Sequence, residues 1–167
     1  MKKIWRYLKK FFTVIRNIFL CLRYPFLKSR NFWTGKFLGY NYTRYEDIPL
    51  GWRKAFGKQF LKELKHCLKK NKELKTFRFL EIKEKYGTLR LSCACASRET
   101  YEVLNKYEAL SEQYCINCGE KAKYITDGWI EFLCERCFKR DMLSRNQWRE
   151  LSPEEESKYL EEHIIKN

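Results

Sequence analysis

Four cysteines in the C-terminal part of the chain are the residues whose type and spacing most clearly support chemistry. Cys115-Ile-Asn-Cys118 and Cys134-Glu-Arg-Cys137 form two C-x2-C pairs separated by fifteen residues. This spacing lets both thiolates of a pair face one ion, and two pairs complete a tetrahedron. The pattern predicts one zinc ion. Its role is structural, because four thiolates leave no position for water or substrate.

The residues between and after these pairs predict how the pairs are positioned. Asp127-Gly128 separates two β-favouring runs and predicts a hairpin. The pattern after Cys137 becomes helical through Leu151. A cysteine knuckle, a hairpin and a helix that carries the second pair are typical of a treble-clef zinc finger.

Catalytic chemistry has little support in this sequence. Nucleases built on a treble clef place a histidine on the hairpin, but the only histidines are His66 and His163. Phosphate-cradling and hydrolase motifs are also missing. The sequence therefore predicts a protein that is not an enzyme, and it indicates no small-molecule substrate.

The remaining cysteines leave one alternative open. The chain has eight cysteines and no cleavable signal sequence, which favours a reducing cytoplasm over a disulfide framework. Cys93 and Cys95 share one face of a predicted strand, and with His66 or Cys67 they would form a second metal site. The alternative is that they are buried free thiols, a common state of cysteine.

Charge is concentrated in the first quarter of the chain. The 167 residues carry a net charge of +14, and eleven of the 35 basic side chains precede the first acid, Glu46. A basic arm of this kind attracts nucleic-acid phosphates, an anionic membrane surface or an acidic protein. We therefore predict an accessory factor that binds nucleic acid or protein, and the alternative function is attachment to a membrane surface through the N-terminal helix. The alternative is a solubilising segment without a specific partner.

Residues 3–22 predict a basic amphipathic helix. Apolar residues fall on one face at spacings of three and four: Ile4, Leu8, Phe11, Ile15 and Phe19. Arg6, Lys9 and Asn17 fall on the other face. Such helices lie in membrane interfaces, which would make the protein peripheral to an inner membrane. The alternative is a helix that packs its apolar face on the rest of the fold.

A second candidate binding surface combines aromatic and basic side chains. Residues 24–51 look irregular, and their aromatics alternate with Arg30, Lys36 and Arg44. These side chains could stack on and pair with single-stranded nucleic acid, to which the zinc helix would add Lys139, Arg140 and Arg145. The alternative is that the aromatics cover a small core.

The elements that must position these groups predict an α+β fold, with a small antiparallel hairpin, packed helices and the zinc finger. We expect helices over 52–71 and 98–114, a hairpin over 77–95 that turns at Lys85–Thr88, and a last helix from Ser152. The expected organisation is a helix (1–23), an irregular segment (24–51), an α+β core (52–114), the zinc finger (115–151) and an acidic helix (152–167).

Several of these motifs together resemble a family of small uncharacterised phage, prophage and bacterial proteins. The shared features are Gly51-Trp52, the terminal zinc knuckles and a hairpin similar to KEKFGGLR: Lys83, Glu84, Lys85, Tyr86, Gly87, Leu89 and Arg90. Thr88 departs from the usual second glycine. The resemblance covers about residues 50–140. It implies the fold, the zinc and a place in a bacterial host's cytoplasm, and it implies no activity.

Overall fold

The computed structural model describes residues 2–31, 33–126, 129–142, 148–150 and 152, and it confirms the α+β class. The helices are α1 (Lys2–Arg23), α2 (Leu50–Trp52), α3 (Lys58–Lys70), α4 (Arg98–Leu110) and α5 (Glu135–Met142). The strands are β1 (Arg78–Lys85), β2 (Thr88–Ala94), β3 (Tyr124–Thr126), β4 (Phe132–Leu133) and β5 (Trp148–Glu150). Short 3-10 turns occur at Pro25–Leu27, Arg44–Asp47 and Ser111–Gln113.

The predicted helix over 52–71 is confirmed, with one irregularity that the sequence did not indicate. A π turn at Arg53–Gly57 separates α2 from α3. The predicted stripe is buried along this helix: Phe56, Phe60, Leu64, Cys67 and Leu68. Because these residues recur every three or four positions, one face of α3 becomes the centre of the core.

The predicted hairpin is formed by β1 and β2, which pair antiparallel and close at Lys85 opposite Thr88. Tyr86 and Gly87 both have positive φ, at 54° and 76°, as a tight two-residue hairpin turn requires. A bulge after Phe79 shifts the register, so that Ile82 and Leu91 face each other and both are buried. The sheet therefore presents one apolar face to the helices.

Aromatic side chains fill the core between this hairpin and the helices. The Tyr107 ring on α4 lies 4.9 Å from that of Phe60, and the Phe77 ring lies 5.0 Å from that of Phe79. The irregular segment contributes Phe26, whose ring is 6.1 Å from Phe77. Part of the aromatic content of residues 24–51 thus covers the core, as the second alternative predicted.

Two predicted helix boundaries are wrong. The helix over 98–114 ends at Leu110 and continues as a 3-10 turn over Ser111–Gln113, in which the amide of Tyr114 donates to the carbonyl of Ser111 at 3.3 Å. The helix after Cys137 ends at Met142, and Trp148–Glu150 is a strand that pairs with β3. The predicted last helix lies, beyond Ser152, outside the described residues.

The helix predicted over 3–22 is confirmed, but it packs through an unexpected face. Asn17 and Cys21 are buried, and the Asn17 amide donates to the carbonyl of Tyr40 at 2.9 Å. Arg16 forms an ion pair with Glu46 at 2.5 Å. Asn17, expected on the solvent-facing side, is therefore the residue that anchors α1. Of the predicted apolar face, Ile15 and Ile18 are half-buried and the rest is exposed, so this face does not provide the main contact with the fold.

Candidate metal centre

The four predicted cysteines meet at one point. The Sγ atoms of Cys115, Cys118, Cys134 and Cys137 all lie within 4.8 Å of one another. The Sγ atoms of Cys118 and Cys134 are 3.4 Å apart, too far for a disulfide, and all four are free thiols. Sulfur atoms at these separations are close enough to hold a metal ion.

The first pair is held by a tight knuckle. The amide of Cys115 donates to the carbonyl of Glu120 at 2.8 Å, and the amide of Gly119 donates to the carbonyl of Cys115 at 2.9 Å. Gly119 has a φ of 85°, a conformation that glycine adopts without strain. The knuckle therefore places Cys115 and Cys118 on the same side of the turn.

The second pair begins a helix. Cys134 directly precedes α5 and Cys137 lies in its first turn, while β3 and β4 form the hairpin between the pairs. The Tyr124 ring of β3 stacks on Phe138 of α5 at 4.2 Å and fixes the helix against the hairpin. This order of knuckle, hairpin and helix is the treble-clef arrangement that the sequence predicts, with β5 added beside β3.

Burial makes the thiols poor anions unless a cation is bound. It raises the pKa of Cys134 to about 11 and also raises the pKa of Cys137. Burial also opposes ionisation of Cys118, but hydrogen bonds from the Glu120 amide, Cys134 and Arg136 outweigh it and lower the pKa to about 7. A divalent metal ion would reverse the effect of burial, because it binds thiolates and displaces their protons.

Two glycines dock the centre on the rest of the protein. A side chain on Gly51 would collide with the carbonyls of Cys115 and Ile116, and one on Gly119 would collide with the carbonyl of Gly51. The amide of Gly51 donates to the carbonyl of Ile116 at 2.9 Å, and the Trp52 indole donates to the carbonyl of Tyr114 at 3.0 Å. Gly51-Trp52 is thus the surface on which the knuckle rests.

The hairpin motif also contacts the centre. Gly87 packs against Ile130 and Phe132, which lie between the two cysteine pairs, and an added Cβ would lie 3.0 Å from the carbonyl of Ile130. Glu84 accepts from the amide of Gly87 at 2.7 Å and supports the turn. The charged side chains of Lys83, Lys85 and Arg90 are exposed, and so is the Tyr86 ring in the turn. Leu89 is buried in the core.

The second metal site is not formed by the described residues, among which Cys115, Cys118, Cys134 and Cys137 make up the only group of this kind. Cys93 is half-buried, and burial raises the pKa of its thiol. The hydrogen bond with the Tyr101 hydroxyl lowers this pKa by less, so the net direction is upward. Cys67 lies 3.5 Å from the Thr100 hydroxyl. Cys67 is buried and Cys93 packs against the core, whereas Cys95 and His66 are exposed.

The predicted anion-binding residues are divided between two places. Arg30 and Arg44 line a cleft of about 340 Å³ together with Lys28 and Arg78. Lys36 is exposed on the neighbouring turn. Lys139 forms an ion pair with Glu135 at 2.6 Å. The side chain of Arg140 and all of Arg145 lie outside the described residues.

Sequence reasoning missed Lys28 and Arg78 as partners of Arg30 and Arg44. Arg78 is the first residue of β1, directly after the buried Phe77, and nothing in its spacing relates it to Arg44. The carbonyl of Leu80, which accepts from Arg44 at 3.4 Å, brings the two arginines to one cleft. Only the tertiary fold supplies that relation.

Comparison with protein-family models, with curated proteins and with solved structures finds no match for this chain. The resemblance to phage and prophage proteins therefore stays a prediction.

Proposed function

We propose that this protein is a zinc-stabilised factor that attaches to an anionic membrane surface through α1. The observation that carries the proposal is the exposure of the apolar side of α1. Eight large apolar residues on it are between 49% and 74% exposed: Ile4, Trp5, Tyr7, Leu8, Phe11, Phe12, Phe19 and Leu22. We call these eight residues the apolar stripe.

The packing of α1 explains why the apolar stripe stays in contact with solvent. The helix is anchored by Asn17 and Cys21, which lie on a different side from the stripe. Residues 4–12 are all exposed. Burying each of these large side chains would contribute about 1.5–3 kcal/mol of binding free energy. An exposed apolar stripe of this size therefore indicates a binding surface.

Charge identifies a membrane as the partner that fits best. The basic residues Arg6, Lys9 and Lys10 are exposed on the side of α1 opposite the stripe, and residues 1–45 contain no acid. A helix with an apolar face and a basic face lies at the boundary between lipid headgroups and acyl chains, where anionic lipids attract its charges. No helix in the described ranges is long and apolar enough to cross a bilayer.

The zinc finger supplies stability in this proposal rather than chemistry. Four thiolates are the ligand set typical of structural zinc, and three of the cysteines are at most 3% exposed. Elemental analysis of purified protein should give one zinc per chain. Substitution of Cys137 should remove it.

Vesicle flotation tests the membrane role. We expect the full-length protein to float with vesicles that contain phosphatidylglycerol and to stay in solution with pure phosphatidylcholine. Phe11→Ser combined with Phe12→Ser should abolish flotation, whereas Trp129→Ser, at an exposed position of the zinc finger, should not. Flotation of the double variant to the same extent as the unchanged protein would overturn the proposal.

A second candidate function has its own observation. The cleft formed by Lys28, Arg30, Arg44 and Arg78 concentrates four cations, although Asp47 pairs with Arg44 at 3.3 Å. A nucleic-acid strand would place phosphates there and stack a base on Trp33, which is 88% exposed.

Binding to single-stranded DNA, measured at several salt concentrations, tests this second candidate. Arg30→Gln should weaken binding and reduce the slope of log K against log salt by about 0.7. Arg98→Gln on α4 is the control for loss of one charge. Salt-insensitive binding would exclude the cleft as a phosphate site.

A further inference from the structure

A pocket at the C-terminal end of α1 combines charge with the apolar stripe. It has a volume of about 310 Å³, and six residues line it: Arg16, Phe19, Leu20, Arg23, Tyr45 and Arg53. Three elements meet there, namely α1, the 3-10 turn at Arg44–Asp47 and the π turn at Arg53–Gly57. The sequence indicates none of this, because Arg53 reads as an ordinary position at the start of a helix.

Arg53 has a donor that its surroundings leave unused. Its Nε is buried and, within the described part of the chain, has no hydrogen-bond acceptor. The guanidinium carbon lies 5.8 Å from the centroid of the Tyr45 ring. A buried N–H without an acceptor is unfavourable, and a ligand oxygen would satisfy it.

The π turn and one glycine hold this arrangement in place. Tyr45 lies directly over Gly57, where any side chain would collide with the Tyr45 hydroxyl. That hydroxyl donates to the carbonyl of Arg53 at 3.4 Å. Tyr45 is therefore fixed against the π turn, and its ring positions the Arg53 guanidinium. π turns of this kind occur frequently at functional sites.

The charge of the pocket is positive after its own ion pair is counted. Glu46 accepts from Arg16 at 2.5 Å and also from the amide of Thr43 at 2.7 Å. Three guanidinium groups against this one carboxylate leave an excess of two positive charges. Arg23 is exposed, so it can turn toward a ligand. Guanidinium groups bind phosphate oxygens in pairs of parallel hydrogen bonds.

Phe19 joins the pocket to the apolar stripe, because it lines the pocket and is also 68% exposed on the stripe. We propose that the pocket binds the phosphate group of an anionic phospholipid, with Arg16, Arg23 and Arg53 as its ligands and the acyl chains against Phe19, at the pocket end of the apolar stripe. This inference rests on the proposed membrane role and names the group that is recognised there.

The direct test uses full-length, zinc-loaded protein and dihexanoyl phosphatidylglycerol below its micelle concentration, followed by calorimetry. We expect Arg53→Gln to weaken binding about tenfold, since it removes a charge-assisted contact. Arg53→Lys should also weaken binding, because lysine keeps the charge but lacks the planar fork. Arg98→Gln, which removes one charge from a remote exposed position, should change binding less than about twofold.

Two further arms identify the source of the phosphate. Inorganic phosphate should bind at least about tenfold more weakly than the short-chain lipid, because it has no acyl chains for the stripe. Vesicles in which oleate supplies the same negative charge as phosphatidylglycerol should bind the protein more weakly. Equal binding of inorganic phosphate would assign the pocket to free phosphate, and equal binding of oleate vesicles would show attraction to charge alone. Either result overturns the proposal.

Failure of the pocket is distinguishable from failure of the membrane role. The combined Phe11→Ser and Phe12→Ser variant should lose flotation but keep its affinity for the short-chain lipid within about threefold. Arg23→Gln, at an exposed position that cannot disturb the core, checks the Arg53 result if Arg53→Gln alters the near-ultraviolet circular dichroism. Normal flotation with unchanged lipid affinity of both arginine variants would overturn the pocket and leave the membrane role standing.

Discussion

The four-cysteine centre and α1 contact the core in opposite ways. The four-cysteine centre rests on Gly51 at backbone contact distance, and charged residues at its edge are paired, as in the ion pair of Arg136 with Glu120 at 3.0 Å. Helix α1 docks through its C-terminal half, where Asn17 and Cys21 are buried, Leu20 packs on the core and Arg16 pairs with Glu46. It leaves most of its apolar side exposed. The packed and paired groups of the first region have their partners within the chain. The exposed apolar surface of α1 has none among the described residues that buries it, and it therefore indicates a binding partner.

Removal of the metal should have the largest effect on stability, and this effect should be confined to the four-cysteine centre. Structural zinc contributes on the order of 10 kcal/mol to the folding of small zinc modules, because the unfolded chain lacks the site. Chelation, or Cys137→Ser, should therefore abolish the ordered packing of α5 against β3. Near-ultraviolet circular dichroism and the thermal midpoint would report it.

Two controls sharpen the metal prediction. Cys95→Ser, at an exposed cysteine outside the cluster, should keep both the metal and the midpoint. Lower pH should release the ion, since protons compete for the thiolates. A chelated protein with an unchanged spectrum would show that the packing of the zinc finger does not depend on the metal.

Gly51→Ala should have the next largest effect, because the added methyl group meets the carbonyls of Cys115 and Ile116. We expect a loss of about 3 kcal/mol in the free energy of unfolding, typical of overpacking against backbone. Denaturant unfolding measures it. Gly39→Ala is a useful comparison, since its site is open and only its φ of 90° opposes alanine, at about 1 kcal/mol. Equal losses would mean that the close approach is not tight.

Asn17→Ala should have a smaller effect on the free energy of unfolding, and this effect should be confined to α1. It removes the hydrogen bond to the carbonyl of Tyr40 and leaves that acceptor without its partner, which costs about 1–3 kcal/mol. Hydrogen exchange should accelerate in the second half of α1 and stay unchanged in α3. Faster exchange throughout the core would show that α1 is part of one cooperative unit with it.

Phe11→Ser combined with Phe12→Ser should have the smallest effect on stability, within about 0.5 kcal/mol, because both rings are exposed. The same variant is expected to lose membrane flotation. The double variant should therefore lose binding and keep its stability, whereas Gly51→Ala should lose stability. A large loss of stability would mean that the two rings pack on the protein in solution.

The sequence predicted most of the elements and the grouping of four cysteines. Short-range patterns carry this information, such as the C-x2-C spacing and the recurrence of Phe56, Phe60 and Leu64. The sequence did not indicate Asn17 as the anchor of α1, because helical periodicity places it on the face that carries the charged residues. Its burial depends on the carbonyl of Tyr40, 23 residues away.

The helix after Cys137 was also predicted too long, for a related reason. Phe138, Trp148 and Leu151 have a spacing compatible with one helix. The register of Thr126 opposite Trp148 shows that β3 offers an open edge to the chain at this point. A strand partner that lies more than twenty residues away outweighs local periodicity, and a local pattern cannot reveal it.

The π turn at Arg53–Gly57 has a consequence for how this chain can change in length. Such a turn holds one residue more than the α-helical repeat, so it sets the angular phase between Gly51-Trp52 and the stripe of α3. Deleting one residue there would rotate the two faces by about 100° relative to each other. Gly51 would then turn away from the zinc knuckle while Phe60 kept its place in the core. The length of this turn is therefore constrained as well as its composition, since Gly57 admits no side chain.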